Sequence, residues 1–124
     1  MGGAAVFFHL APEKALLNDI NAELVNCYNV IKSSPNELIM ALRKHVYNSE
    51  YYNEIRFLDR AEGGLLALSE IARASRFIYL NRTGFNGLYR VNSKGFFNVP
   101  MGRYKNPRIV NEEGIFACAS CLQS

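Results

Sequence analysis

Phe85-Asn86-Gly87-Leu88-Tyr89-Arg90-Val91-Asn92, Ser93-Lys94-Gly95 and Phe96-Phe97-Asn98-Val99-Pro100 form the stretch on which the reading of this chain turns. Leu88 to Val91 and Phe96 to Val99 have strand texture. The run Asn92-Ser93-Lys94-Gly95 between them is rich in turn formers, and Pro100 closes the second arm. A β-hairpin is therefore predicted, followed by an irregular basic tail to Pro107.

Charge is distributed unevenly around this stretch. Residues 1–75 carry seven Lys/Arg against nine Asp/Glu, whereas residues 76–124 carry seven against two, and residues 76–111 hold no acid at all. The same window holds seven aromatics: Phe77, Tyr79, Phe85, Tyr89, Phe96, Phe97 and Tyr104. Cations for phosphates and flat rings for bases suit a nucleic-acid surface. A basic face around an aromatic core has the same composition, so both readings stand at this point.

Upstream of the hairpin the pattern is helical. Asn21 is a plausible N-cap for a helix ending near Ser33, with Glu23 in its first turn and Leu24, Tyr28 and Ile31 along one face. Ser34-Pro35-Asn36-Glu37 has a cap residue, a proline at the first helical position and a glutamate placed for a capping box, followed by Leu38, Ile39, Leu42 and Val46. Further helices are expected over Glu50–Leu58, from Leu65 towards Leu80, and over Val110–Leu122.

The first 20 residues read differently. Gly2-Gly3 begins a glycine turn running into the apolar Ala4 to Leu10, and Ala15-Leu16-Leu17 reads as a short buried strand ended by Asn18-Asp19. Glycine turn, short helix, short strand and strand-end acid are the parts of a Rossmann-like nucleotide site, in which the acid takes ribose hydroxyls. A tight turn followed by a capping acid is the plainer reading of the same residues.

Gly2-Gly3-Ala4-Ala5-Val6-Phe7-Phe8 and Leu17-Asn18-Asp19-Ile20-Asn21, followed by Leu24-Val25-Asn26-Cys27-Tyr28, resemble the first two cofactor motifs of the Dam, or D12, class of DNA adenine-N6 methyltransferases. Phe85 to Asn92, Phe97-Asn98-Val99-Pro100 and Gly102-Arg103-Tyr104-Lys105-Asn106-Pro107 resemble that class's target-recognition hairpin. Order and spacing agree over nearly the whole chain.

The resemblance implies an α/β fold: a partial Rossmann-like methyltransferase domain (residues 1–33), a mainly helical target-recognition insertion containing a β-hairpin (34–109), and a C-terminal helix leading back towards the catalytic part (110–124). It implies S-adenosylmethionine as methyl donor, with Gly2, Gly3 and Ala4 beside the cofactor and Asp19 on its ribose. It also implies double-stranded DNA as partner, with adenine flipped out of a GATC-like site. Phe85 matches the wedge, and Arg90 the arginine that reads guanine. Asn86, Leu88, Pro100 and Tyr104 match base or phosphate contacts, while Lys94, Arg103 and Lys105 suit the DNA backbone. Plainer roles exist for several of these: packing for Leu88 and Pro100, a core cap for Tyr104, solvated surface for any one lysine.

The chain also departs from the family. Ala4 stands where a glycine is common, the lysine-containing N-terminal motif is absent, and no Asp-Pro-Pro-Tyr occurs among the 124 residues. The expectation is an internal piece, inactive alone, whose incomplete sheet leaves edges for self-association. A non-catalytic DNA-binding fragment is the alternative, and an unrelated helical protein with a basic aromatic hairpin would follow only from an accidental resemblance. Cys118-Ala-Ser-Cys121 has half-motif spacing without a second pair, so no metal is expected. Three cysteines and no apolar run long enough for a bilayer suggest a cytoplasmic, reduced protein. The parent's role, restriction-modification or housekeeping, stays open.

Overall fold

The computed structural model describes residues 14–94 and 96–123, with side chains described for residues 22–94 and 96–122. Five α-helices make up most of it: α1 (Lys14–Ser33), α2 (Pro35–Arg43), α3 (Ser49–Arg56), α4 (Glu70–Thr83) and α5 (Glu112–Gln123). Short 3-10 turns occupy Phe57–Arg60, Gly64–Ala67 and Phe85–Gly87. None of the described helices is long and apolar enough to cross a membrane.

Local chemistry sets most of these boundaries. Asn48 accepts the Tyr51 N–H at 2.8 Å and starts α3, and Ser69 accepts the Ala72 N–H at 3.1 Å and starts α4. The Ser69 cap, with Gly63 and Gly64 both at positive φ, divides the single helix expected from Leu65 into a 3-10 turn and α4. Pro35 opens α2 as expected, but Ser34 makes no side-chain cap bond and the capping box does not form. Instead the Ser34 carbonyl accepts the Leu38 N–H at 3.0 Å.

α4 is the central helix. Ala74 to Asn81 is buried without interruption, against α1, α2 and α3, so α4 shows no solvent face over this run. Its polar groups are each spent on a different connection. Ser75 Oγ lies 2.5 Å from His45 Nε2, the Tyr79 hydroxyl donates to Val46 O at 2.7 Å, and Asn81 Nδ2 donates to Gly87 O at 3.1 Å. Arg76 donates to the Ile55 and Arg56 carbonyls at 3.0 and 3.1 Å, where the end of α3 attracts a cation. α1 contributes Glu23, Cys27, Val30 and Ile31 at helical spacing, and α5 contributes Ile115, Cys118 and Ala119. Each such fully buried aliphatic or aromatic side chain stabilises by roughly 1.5–3 kcal/mol.

The expected α/β architecture is corrected among the described residues: they are helical and contain no strand. Ala15-Leu16-Leu17, read as a buried strand, lies inside α1, and Asn21, read as the N-cap, lies mid-helix. A parallel strand needs neighbours to satisfy its backbone, whereas a helix satisfies its own. Among the described residues no sheet is present to support the expected sheet-edge self-association.

The hairpin is corrected in the same way. Val91 and Phe97 form one isolated antiparallel bridge, with Asn92 N–H donating to Phe96 O and Asn98 N–H to Arg90 O, both at 2.8 Å. No ladder extends from it, because side chains of the helical body take the returning arm's polar groups. Asp59 Oδ2 accepts the Phe97 N–H at 2.6 Å and Arg60 donates to Phe97 O at 2.9 Å. Val99 O receives the Tyr52 hydroxyl at 2.7 Å. The turn does follow its residues: Asn92 Oδ1 accepts the N–H of Lys94 at 2.9 Å and of Phe96 at 3.1 Å.

Candidate nucleic-acid interface

α4 delivers the chain to the site. Its C-terminal Gly84 N–H donates to Leu80 O at 2.8 Å, after which Asn86 (φ 54°) and Gly87 (φ 63°) turn the backbone through the left-handed region. Asparagine and glycine are the residues that tolerate this conformation. The returning chain pairs with the exit of α4: Phe85 N–H donates to Pro100 O at 2.9 Å, Gly102 N–H to Thr83 O at 2.8 Å, and Gly84 and Met101 form a second isolated bridge.

Between these segments lies an open cleft of about 550 Å³ lined by Phe85, Asn86, Pro100, Met101, Gly102, Arg103 and Tyr104. Five of the DNA candidates, Phe85, Asn86, Pro100, Arg103 and Tyr104, thus line one cleft. Phe85 is 49% exposed and Tyr104 38% exposed, among four well-exposed aromatic rings of the described residues that also include Phe57 and Phe116, and these two are the ones that line the cleft. Tyr104 is tied internally, its hydroxyl donating to Gly84 O at 2.8 Å and its N–H donating to the Tyr47 hydroxyl at 2.8 Å.

The remaining candidates fall elsewhere. Leu88 is partly buried and packs against the core. Arg90 and Lys105 are exposed outside the cleft lining. Lys94 lines a second cleft, of about 450 Å³, with Glu23, Asp59, Arg73, Tyr89 and Phe96 among its walls. Arg90, Lys94, Arg103 and Lys105 form no ion pair with an acid among the described residues. Gly2, Gly3 and Ala4 lie outside the described residues. The backbone places Asp19 within α1, so the strand-end acid expected to take a cofactor's ribose is not the arrangement found there.

The structure divides the basic aromatic window between core and surface. Phe77, Tyr79, Tyr89 and Phe97 are core, with Tyr89 stacked on Phe77 at 4.9 Å and edge-on to Phe97 at 5.1 Å. Burial pushes the Tyr89 hydroxyl pKa up. Arg76 is also internal, its side chain 2% exposed and 3.3 Å from Asp59. Burial, and then the positive charge of Arg108, hold the Arg82 pKa below its ordinary value. Phe85 and Tyr104, with Arg90, Lys94, Arg103, Lys105 and Arg108, face solvent. An exposed ring in the wall of a cleft that also holds Arg103 has the chemistry to wedge into a base stack while the cation meets a phosphate.

Residue-type reasoning missed the supports. Tyr47, Tyr52, Asp59 and Arg60 each bond the backbone of residues 97–104 from 37 to 57 positions away in sequence. Arg60 also lies 4.5 Å over the Phe57 ring and 5.5 Å over Phe96.

The family model for D12 class N6 adenine-specific DNA methyltransferases matches residues 1–124. The type II methyltransferase M1.LlaDCHI of Lactococcus lactis subsp. cremoris is 50% identical over 126 residues, covering 100% of this chain and 44% of its own length. M.MjaIII of Methanocaldococcus jannaschii, also a type II methyltransferase, is 40% identical over 137 residues, covering 100% of this chain and 47% of its own. The DNA adenine methylase of Escherichia coli (strain K12) is 37% identical over 107 residues, 86% of this chain and 38% of that one. The chain therefore spans less than half the length of each of these relatives.

Proposed function

Since this chain belongs to the D12 class of N6 adenine-specific DNA methyltransferases, we propose that residues 34–109 are its target-recognition region, reading a GATC-like site in duplex DNA for methyl transfer from S-adenosylmethionine to adenine N6. The observation that carries this reading is the cleft that gathers Phe85, Asn86, Pro100, Arg103 and Tyr104, with Phe85 half exposed at its wall. In it Phe85 is the wedge that fills the stack as the adenine leaves it, and the turn at Asn86-Gly87 holds the ring out from α4. Arg90 reads guanine through its paired N–H groups, and Lys94, Arg103 and Lys105 hold phosphates.

S-adenosylmethionine supplies the methyl group in this reading, with Gly2, Gly3, Ala4 and Asp19 on its side of the protein. Asp19 lies on the helix over residues 14–33, and the methyl group is what the cofactor would supply when bound. The reading further takes residues 1–33 as the cofactor-side segment, residues 110–124 as the return to the catalytic part, and the cytoplasm as the location. The 124 residues contain no Asp-Pro-Pro-Tyr to orient an adenine amino group, and such positioning is much of what methyl transfer requires.

Two assays on the purified chain test the reading. Binding to GATC duplex should exceed binding to a scrambled duplex and weaken as salt rises. Labelled S-adenosylmethionine should leave no methyl group on the GATC duplex; incorporation would show that these residues alone complete an active site.

A further inference from the structure

We infer that Tyr47 is a positioning residue for target recognition, holding Arg103 and Tyr104 in register with Phe85 without touching DNA itself. The inference rests on the recognition role proposed for the cleft and adds a residue that carries no charge and lies about 40 positions upstream of the hairpin.

The Tyr47 hydroxyl makes two bonds to the far wall of the cleft. It donates to Gly102 O at 2.6 Å and accepts the Tyr104 N–H at 2.8 Å. These two backbone groups flank Arg103, so one hydroxyl fixes the peptide planes on both sides of an exposed cation. The opposite side of the same segment is tied to the end of α4, through Gly102 N–H to Thr83 O and the Tyr104 hydroxyl to Gly84 O, both at 2.8 Å.

Tyr47 is itself fixed. It lies in the connection between α2 and α3, where the Tyr79 hydroxyl donates to Val46 O and the Asn48 side chain caps α3. The central helix therefore holds both Gly84, beside the wedge, and the connection that carries Tyr47. Space is equally determined: a Cβ on Gly102 would stand 2.4 Å from Tyr104 Cε2 and 3.1 Å from Gly84 O. Only glycine lets the Tyr104 ring lie across this segment and reach Gly84.

Removing the hydroxyl leaves Gly102 O and the Tyr104 N–H without their partner while the helical body keeps every bond of its own. In anisotropy titrations, Tyr47→Phe should lower the preference for GATC over scrambled duplex roughly fivefold, the worth of about one hydrogen bond. Affinity for scrambled duplex should fall much less, and its salt slope should not change, because Arg103 keeps its charge. Hydrogen exchange should quicken at the Tyr104 amide and stay unchanged in α4. Gly102→Ala, which displaces Tyr104 by crowding, should give the same selective loss and serves as the second variant if Tyr47→Phe does not fold. Equal weakening on both duplexes, or an unaltered preference in both variants, would overturn the inference. Absence of any preference in the unchanged chain would overturn the recognition reading instead. Tyr104 exchange would then decide for the brace if it quickens in Tyr47→Phe, and against it if it does not.

Discussion

Arg76 and Asp59 face each other at 3.3 Å inside the protein, and the carboxylate oxygen that meets Arg76 also accepts the Phe97 N–H at 2.6 Å. One acid thus neutralises a guanidinium on the central helix and anchors the returning arm around Phe97. With side chains 2% and 7% exposed, neither charge can fall back on water.

Removing one partner of such a pair is expected to cost about 3–5 kcal/mol, because the other charge stays buried and unpaired. Asp59→Ala should therefore lower the urea midpoint strongly, and Arg76→Ala less, because Asp59 keeps Arg60 at 3.7 Å and the Phe97 N–H. An exposed cation such as Lys105→Ala should move it by less than about 0.5 kcal/mol. Similar midpoints for all three proteins would contradict this account of the core.

His45 supplies a pH dependence of stability. Burial pushes its pKa down from 6.5 to about 4, where it sits between Tyr51 and Ser75 and stacks on Tyr79. As pH falls, the unfolded chain takes up the proton first, so stability contributed by neutral His45 is complete above about pH 6.5 and is lost progressively down to about 4. His45→Gln removes this titration, and the difference between the two melting curves should shrink steadily across that window. Parallel curves from pH 7 to pH 4 would show that His45 protonates equally in both states.

Gly84 tests the junction of α4 with the cleft. Its backbone is extended rather than left-handed, so the constraint is space: a Cβ would lie 2.6 Å from Leu80 O and 3.1 Å from the Tyr52 hydroxyl. Gly84→Ala should destabilise by about 1–3 kcal/mol through crowding. Asn86→Gly, at φ 54°, should be tolerated because glycine takes that conformation freely. Thermal melts of the two variants separate the effects, and a harmless Gly84→Ala would place the exit of α4 elsewhere.

What could be read from sequence follows from how local each signal is. Pro35 and the apolar spacing of Leu38, Ile39 and Leu42 mark α2 within one turn of chain, and α5 begins two residues after its expected start. Phe85, Asn86, Pro100, Arg103 and Tyr104 were legible as a group because they occupy two short stretches that the structure folds against each other. Leu88 to Val91 and Phe96 to Val99 have strand composition, yet their backbone groups bond to Asp59, Arg60 and Tyr52 from distant helices and turns, and such side-chain ties leave no periodic trace. Ala15-Leu16-Leu17 failed as a strand for a related reason: an apolar triplet does not show whether a sheet exists to receive it. Tyr47 carried no signal at all, since one tyrosine in a connection is ordinary.

The account stands or falls on duplex discrimination by Arg90, which is exposed outside the cleft lining. The most direct measurement is fluorescence-anisotropy binding of the purified chain to a GATC duplex and a scrambled duplex, at two salt concentrations, with Arg90→Ala alongside. A bidentate contact to guanine is worth about 1–3 kcal/mol of discrimination, so the unchanged chain should prefer GATC by roughly five- to hundredfold and Arg90→Ala should bind both duplexes alike. Equal, salt-sensitive binding of both duplexes by the unchanged chain, with no further effect of Arg90→Ala, would contradict it and leave a basic surface without a reading function.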